Sequence, residues 1–269
     1  MSRETARIAP TSLRRPELLV PALLGGLLVV YVLVPFVAFL SRTGTAGVVA
    51  GLSEPGAQTA IRNSLLTAPA ATAVATVSGV PLAYVLARRS FPGKRLVESL
   101  VVLPLVLPPV VGGAMLLTAV GRFTPIGSVA AASGLPLTGS LLGVVLAQTF
   151  VAAPFVVVTA RAGFGAIDER LEQASRSLGY GPLATFRNVS LPLARGSILA
   201  GIVLTFARAI GEFGATTMVS YFPRTLPVEI WVSFRTLGLD SAYPVAILLV
   251  GISVLALAVL HTVAANPWQ

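Results

Sequence analysis

The sequence predicts an all-α membrane protein with six transmembrane helices and both termini in the cytoplasm. Composition is the first observation behind this fold class. Of 269 residues, 55% are hydrophobic and only 11% are charged, and the mean hydropathy is +0.87. A soluble domain carries about 25% charged residues. The second observation is that uncharged apolar runs of about 20 residues, the length of a spanning helix, recur along the chain.

The apolar runs set the predicted spans. The first is interpreted as an anchored helix rather than a cleaved signal peptide, because its apolar run is too long and no small-residue cleavage site follows it. The fourth begins only after a stretch rich in turn-forming residues. The six spans are Leu18–Leu40, Asn63–Ala87, Ser99–Gly121, about Gly139–Ala160, Gly196–Phe222 and a helix within Ser241–Ala264.

Basic residues set the predicted orientation, because they gather on the cytoplasmic side of membrane proteins. With the N-terminus inside, thirteen of the nineteen Lys and Arg residues fall in inside segments, five fall in outside segments, and Arg208 lies within a span. The predicted organisation is an N-terminal cytoplasmic tail with the first span (1–58) and a transmembrane core (59–264) that carries a cytoplasmic loop at 161–195. The predicted location is the cell membrane of a bacterium or archaeon.

Several classes of chemistry are excluded by residue counts. The chain has no cysteine and one histidine, His261, so thiolate and multi-histidine metal sites are excluded. No G-x-x-x-x-G-K-[ST] phosphate loop is present, since "FPGKRL" lacks the spacing and the hydroxyl residue. The net charge of +9 follows membrane topology rather than nucleic-acid binding. We therefore expect neither an enzyme nor a chain that binds its own cofactor.

The stretch Asp168–Pro192, in the predicted cytoplasmic loop, is unusually polar and has helical periodicity. Asp168 suits a helix N-cap, Gly179 a helix C-terminus and Pro182 the start of a second short helix that Leu191-Pro192 ends. An apolar stripe runs along the first helix through Ile167, Leu171, Ala174 and Leu178. The stripe either packs on the chain's own membrane domain or docks another protein by a helix-in-groove contact. The residues alone leave both interpretations open.

The same stretch resembles the "EAA" loop of importer-type ABC-transporter permeases. Gln173-Ala174-Ser175, Gly179 and Val189-Ser190-Leu191-Pro192 reproduce every spacing of that motif, although Gln173 replaces the usual Glu and Ser175 the second Ala. Glu172, one residue early, is expected to carry part of the missing charge. The resemblance implies that this loop docks into a cytoplasmic ATPase. The coupling residues it implies are Asp168, Leu171, Glu172, Gln173, Ala174, Ser175, Leu178, Gly179, Leu191 and Pro192.

Two features inside the predicted spans are candidates for a translocation pathway. Pro104, Pro108 and Pro109 are expected to kink the third span, either for packing or to line a pathway. Arg208 and Glu212 lie four residues apart in the fifth span, so they can pair on one helix face. The pair either fixes helix packing or forms a gate. Pro108, Pro109, Arg208, Glu212 and Thr216 are the pathway candidates.

The stretches "LPLVLPPVVGG", "FARAIGEFGAT" and "RTLPVEIW" resemble the molybdate/tungstate permease family, with sulfate/thiosulfate permeases as close relatives and the alternative. Phe213 and the third-span prolines favour molybdate or tungstate. The resemblance implies a MetI-like type I ABC permease fold and a homodimer in membrane lipid. It also implies two ATPase copies that bind ATP and Mg, and an extracytoplasmic oxyanion-binding protein.

Two predictions remain open beside that resemblance. The outside segment 222–240 is expected to form a short interfacial helix around Trp231, which either meets the binding protein or anchors the chain at the membrane surface. A stand-alone secondary carrier is the alternative from another class, but such carriers have internal inverted repeats that we do not find here.

Overall fold

The computed structural model describes residues 19–42 and 44–265, and every regular element in these ranges is helical. A first compact unit ends at Ala46 and contains helix α1 (Leu19–Ser41). This helix has a mean hydropathy of 2.6 and no buried side chain. The predicted N-terminal cytoplasmic tail lies outside the described residues.

A second compact unit begins at Gly47, within helix α2 (Thr45–Leu52). A π-helical segment, Phe186–Ser190, connects two of its short helices. The helices that follow α2 are α3 (Pro55–Arg88), α4 (Lys94–Val106), α5 (Pro109–Val120), α6 (Pro125–Ala132), α7 (Leu141–Gly165), α8 (Glu169–Ser177), α9 (Pro182–Thr185), α10 (Leu191–Leu193), α11 (Arg195–Ile210), α12 (Gly214–Val219), α13 (Leu226–Leu237) and α14 (Leu239–Ala265).

Four of the described helices, α1, α3, α7 and α14, are long and apolar enough to cross a membrane by themselves. Two bent pairs also pass the same test. The α5–α6 pair bends by 69°, and the α9–α10 stretch bends by 74° against α11. Counting each bent pair as one span gives up to six spans by length and composition. The predicted second, fourth and sixth spans correspond to the continuous helices α3, α7 and α14.

The third predicted span, Ser99–Gly121, is wrong as a single helix. The chain breaks between α4 and α5, where Leu107 and Pro108 are extended with ψ of 139° and 131°. A residue that precedes proline is disfavoured in the α region, and both residues precede one. Pro109 then opens α5 at its first helical position, where a missing N–H is harmless. The two adjacent prolines therefore restart the helix rather than kink it.

The fifth predicted span, Gly196–Phe222, is also wrong as a single helix. It divides into α11 and α12 at residues 211–213, and Ser220 ends α12 in a non-helical conformation. A side chain contributes at the break: a carboxylate oxygen of Glu212, the residue before the N-cap Phe213, accepts a hydrogen bond from the backbone N–H of Ala215. A side-chain acceptor at this position satisfies a donor of a new helix start, as an N-cap does.

The core of the second unit forms where α3, α7 and α11 pack against one another. Small residues permit this close approach, as is common between membrane helices. On α3, Ala68, Ala71, Ala75 and Ala83 are fully buried. A Cβ on Gly201 of α11 would meet the Thr159 hydroxyl and lie 3.0 Å from the Cα of Val156. The packing holds the ends of α3 and α11 near the segment that contains α8.

Candidate coupling and pathway sites

Helix α8, in the predicted cytoplasmic loop, is capped as the sequence predicts. A carboxylate oxygen of Asp168 accepts a hydrogen bond of 2.9 Å from the N–H of Arg170. Beyond the helix, Gly179 has a φ of +89°, a left-handed conformation that favours glycine. The Gly179 N–H donates to the Arg176 carbonyl at 2.9 Å, and that of Tyr180 to the Ser175 carbonyl at 3.2 Å. The turn after α8 therefore depends on a glycine at this position.

The second half of the loop follows the prediction at its start but not at its end. Pro182 opens α9 as expected. Leu191-Pro192, expected to end the helix, instead opens α10 directly after the π-helical segment. The Leu191 N–H reaches back to the Phe186 carbonyl, one residue beyond the α-helical partner. This wider turn accommodates Pro192, which has no N–H and would clash with the carbonyl four residues earlier in a regular helix.

The predicted apolar stripe divides between two environments. Ile167 packs on a buried cluster to which α3, α7 and α11 contribute, because it precedes the first residue of α8 and does not share its face. Leu171 and Leu178 are instead 49% and 79% exposed. They line an open groove of about 600 Å³. The groove is completed by Ala174, Ser175, Tyr180, Asn188, Val189 and Leu193.

We call this set of residues the docking groove. It contradicts the alternative in which the stripe packs on the chain's own membrane domain, since the side chains after Ile167 face away from it. Exposed contiguous apolar surface commonly marks an interaction site. Ser175, at its edge, lies 3.1 Å from the Thr185 hydroxyl and so joins α8 to α9. Gln173 is exposed and uncharged.

The sequence led us to expect that Glu172 carries part of the missing charge at the exposed face. The structure shows that it does not. It is only 4% exposed and points into the protein. The guanidinium of Arg88, at the end of α3, donates to it at 3.0 Å, and the Ser190 hydroxyl at 2.8 Å. Sequence reasoning missed Arg88, because a basic residue at the end of a span is ordinarily explained by orientation alone.

The breaks of the third and fifth predicted spans meet in the structure. A Cβ on Gly214, the first residue of α12, would lie 2.9 Å from the Pro109 Cβ and 3.0 Å from the Val110 nitrogen. One helical turn into α5, a Cβ on Gly113 would lie 2.8 Å from the Cα of Ala215. The structure therefore brings the Pro108–Pro109 corner next to the break that contains Glu212.

The predicted pair of Arg208 and Glu212 is present. Their closest atoms lie 2.5 Å apart, as an ion pair outside hydrogen-bond alignment. Glu212 is 1% exposed, while the Arg208 side chain is 27% exposed. The other oxygen of Glu212 accepts the Ala215 N–H at 2.7 Å. The pair therefore lies at the helix break itself, where either of the two roles that the sequence leaves open would place it.

Two buried polar side chains, one on α12 and one on α7, are also candidates for the pathway. The Thr216 hydroxyl on α12 has no hydrogen-bond partner among the described residues, and neither has the amide of Gln148 on α7. Both residues are fully buried. Sequence reasoning proposed Thr216 but missed Gln148, since one glutamine in an apolar run gives no distinguishing signal.

The predicted outside helix is present as α13. Val228 is buried and Trp231 is 44% exposed, with the Arg235 guanidinium 5.7 Å from the indole ring. Two side chains of α3 hold the start of this helix. The Asn63 amide donates to the Arg224 carbonyl, and the Ser64 hydroxyl accepts from the Leu226 N–H, each at 2.8 Å.

Residues 79–266, which include the docking groove and both helix breaks, match the family described as binding-protein-dependent transport system inner membrane component. The chain belongs to this family. Its members are the membrane components of transport systems, so the predicted role as a permease subunit of a bacterial or archaeal cell membrane, rather than an enzyme, is confirmed.

Relatives of this transport component carry consistent names. A probable molybdenum ABC transporter permease protein of Haloferax volcanii is 49% identical over 99% of this chain and 96% of its own length. A molybdate/tungstate transport system permease protein of Thermococcus kodakarensis is 42% identical over 86% of this chain and 90% of its own length. A molybdenum transport system permease protein of Mycobacterium tuberculosis is 39% identical over 96% of this chain and 97% of its own length.

Solved structures of importers share the fold of this transport component. A chain of a bacterial ABC transporter that imports alginate superposes with a TM-score of 0.70 at 16% identity, covering 95% of this chain and 96% of its own. A chain of the MetNI methionine ABC transporter gives a TM-score of 0.59 at 19% identity, covering 81% and 100%. At these identities the likeness supports the fold alone.

Proposed function

We propose that the chain is the permease subunit of an ATP-driven importer that moves molybdate or tungstate into the cytoplasm. The observation that carries the proposal is the 49% identity, over almost the whole chain, to a permease named for molybdenum. The relatives named for molybdate and tungstate favour these ions over sulfate. The alternative, a carrier that works without an ATPase, would give the exposed docking groove no role.

The proposed assembly contains two copies of this chain, related by symmetry around one pathway. Each copy crosses the membrane six times with both termini in the cytoplasm, in the type I permease arrangement, with 59–264 as the transmembrane core. Each docking groove seats one ATPase subunit, which binds ATP and Mg. A separate oxyanion-binding protein delivers the ion to the outer face, where α13 exposes Trp231.

The coupling role rests on the exposed apolar face of α8. Leu171, Ala174 and Leu178 present this face, and Gly179 sets the angle at which the chain leaves it. The carboxylate of Asp168 and the Ser175–Thr185 contact keep α8 in place while a partner pushes on it. Gln173 offers an exposed amide in place of the motif's carboxylate, and Leu191 and Pro192 start the short helix behind the groove.

The pathway role rests on the meeting of two broken helices. Arg208 is the best donor for a tetrahedral dianion, because its guanidinium is partly exposed and keeps several N–H groups beyond the one that faces Glu212. Thr216 on α12 adds a buried hydroxyl that has no hydrogen-bond partner among the described residues. The Pro108–Pro109 corner packs against the start of α12 and so lies next to the same helix break.

The direct test is reconstitution of the complete transporter in proteoliposomes. The binding protein is loaded with molybdate, tungstate or sulfate, and both ATP hydrolysis and ion uptake are measured. We expect molybdate and tungstate to stimulate hydrolysis and sulfate to have little effect. Stimulation by sulfate alone would overturn the assignment of the ion, and uptake without an ATPase would overturn the class.

A further inference from the structure

Glu172 holds an unusual position for a carboxylate in the loop that contains the docking groove. It belongs to α8, yet it is 4% exposed and faces the membrane unit rather than the groove. A buried charge is stable only when it is paired and hydrogen-bonded, so its partners define its role.

The hydrogen-bond partners of Glu172 come from two other elements, and Arg176 of α8 itself adds only a longer ion pair of 3.8 Å. Arg88, the last residue of α3, donates to one carboxylate oxygen at 3.0 Å and to the Ile167 carbonyl at 2.9 Å. Ser190 donates to the same oxygen at 2.8 Å. The Tyr84 hydroxyl, one turn before Arg88 on α3, makes a longer contact of 3.4 Å to the other oxygen.

These partners connect α8 to two helices of the core. Arg88 and Tyr84 lie at the end of α3. Ser190 ends the π-helical segment that leads through α10 into α11. Because α3 and α11 both pack on α7, the carboxylate joins the exposed loop to the central helices at two points.

Aromatic packing makes the joint rigid. The Tyr84 ring lies 5.3 Å from that of Phe164 on α7 and 4.7 Å from that of Phe186 in the π-helical segment, both edge to face. Phe164 is fully buried. A displacement of α8 therefore cannot be absorbed by loose side chains at its base, since interiors packed in this way transmit strain.

We propose that Glu172 and Arg88 form the internal half of the coupling device. The carboxylate is a positioning residue that makes α8, the end of α3 and the entry to α11 move as one body when the ATPase displaces the docking groove. The inference rests on the proposed function and adds a connection that the ATPase never touches.

The test compares Glu172→Gln with a matched control on the same helix. Glu169→Gln makes the same chemical change. The Glu169 side chain, however, is 66% exposed, and its distance of 3.8 Å from Arg88 is too long for a hydrogen bond. In proteoliposomes with ATPase and molybdate-loaded binding protein, the readout is the number of ions taken up per ATP hydrolysed. We expect this ratio to fall about tenfold in Glu172→Gln, as for one lost charge-assisted hydrogen bond, and to stay at the wild-type value in Glu169→Gln.

Co-purification of the ATPase separates this inference from the proposed function. Glu172→Gln is expected to retain the ATPase, since its side chain lies behind the groove. If the wild-type chain fails to bind an ATPase or to take up ion, the proposed function fails. If the wild-type chain is coupled and Glu172→Gln matches Glu169→Gln in the uptake ratio, only the inference fails.

Two further variants guard against simple misfolding of Glu172→Gln. Ser190→Ala removes the hydroxyl link to α10 and leaves the ion pair intact, so we expect a smaller fall in the uptake ratio, of about threefold. The uptake ratio of the double variant Arg88→Gln/Glu172→Gln is expected to be no lower than that of the worse single variant, Arg88→Gln or Glu172→Gln. The reason is that the two substitutions remove the same interaction. Additive losses, or a wild-type ratio in Ser190→Ala, would contradict the proposal.

Discussion

Two buried carboxylates in this molecule have different kinds of partner. Glu172 is 4% exposed, and the donors of its short hydrogen bonds, Arg88 and Ser190, lie 84 and 18 residues away in the chain, while Arg176 on its own helix makes only a longer ion pair of 3.8 Å. Glu212 is 1% exposed, and its partners, Arg208 and the N–H of Ala215, lie four and three residues away. One carboxylate joins separate helices, and the other shapes the chain next to itself.

The difference separates two roles for charge inside a membrane protein. A local pair such as Arg208–Glu212 lies at the break between two successive helices and connects no other part of the chain. A long-range pair such as Arg88–Glu172 requires separate helices to move together. We therefore expect changes near Glu212 to affect folding most, and changes around α8 to affect coupling while the fold persists.

The largest expected effect is that of Glu212→Ala. The change removes the acceptor of the Ala215 N–H and leaves Arg208 without its partner. We expect a destabilisation of about 3 kcal/mol, the lower end for a broken buried pair, because Arg208 is partly exposed. The loss of stability is measured by thermal unfolding, with size-exclusion chromatography used to monitor the folded fraction. Glu212→Gln, which keeps a carbonyl acceptor, is the milder control, and equal melting of Glu212→Ala and the wild-type chain would contradict the local role.

A second prediction concerns the contact between the two broken helices. In Gly113→Ala the new Cβ would lie 2.8 Å from the Cα and 2.9 Å from the carbonyl oxygen of Ala215, which are backbone atoms that cannot rotate away. We expect a loss of about 2 kcal/mol from overpacking. Gly112→Ala is the matched control, since its Cβ meets the Phe150 ring, which can shift. The same melting assay applies, and equal losses would show that the contact is not tight.

A substitution in the turn after α8 is expected to have a smaller effect on stability and a large effect on coupling. Gly179→Val places a β-branched residue at a φ of +89°, which costs about 1–2 kcal/mol. Gly181→Val, two residues away at a φ of −69° and in open space, is the control. We expect ATP-driven uptake to be lost only in Gly179→Val. Coupled uptake at the wild-type level would exclude the docking role of this turn.

The smallest effect on the fold is expected in the docking groove itself. Leu178→Gln changes a side chain that is 79% exposed, so stability should stay within about 0.5 kcal/mol of the wild-type value. Binding of the ATPase should nevertheless weaken, because an apolar contact is replaced by an amide. Leu183→Gln, equally exposed at 78% but outside the groove, is the control in a co-purification assay. A stable Leu178→Gln with unchanged ATPase binding would move the docking site elsewhere.

Much of the architecture follows from local sequence signals. Asp168, Gly179 and Pro182 act at single positions by known backbone rules, and the structure confirms each of them. The four continuous helices α1, α3, α7 and α14, among the described residues, follow from apolar length alone. The motif spacing pointed to the loop that carries the exposed groove, because its register requires no knowledge of tertiary contacts, and the docking role of that groove stays a prediction.

The features that the sequence did not reveal depend on contacts between distant residues. Apolar length cannot distinguish one span from two half-helices, so the sequence predicts a kinked third span and a single fifth span where the chain breaks at Pro108 and near Glu212. Helical periodicity could not tell that Glu172 turns inward, because its partner Arg88 lies 84 residues earlier. The π-helical turn before Pro192 reversed the reading of that proline from a helix end to a helix start.

The absence of cysteine makes one measurement especially direct. Leu178→Cys and Leu237→Cys place single thiols at positions that are 79% and 74% exposed, one in the docking groove and one at the end of α13. The rate of maleimide labelling is measured in membranes with and without the ATPase. The proposed coupling mechanism predicts that the ATPase protects Cys at position 178 and leaves position 237 reactive. Equal labelling of position 178 in both conditions would contradict it.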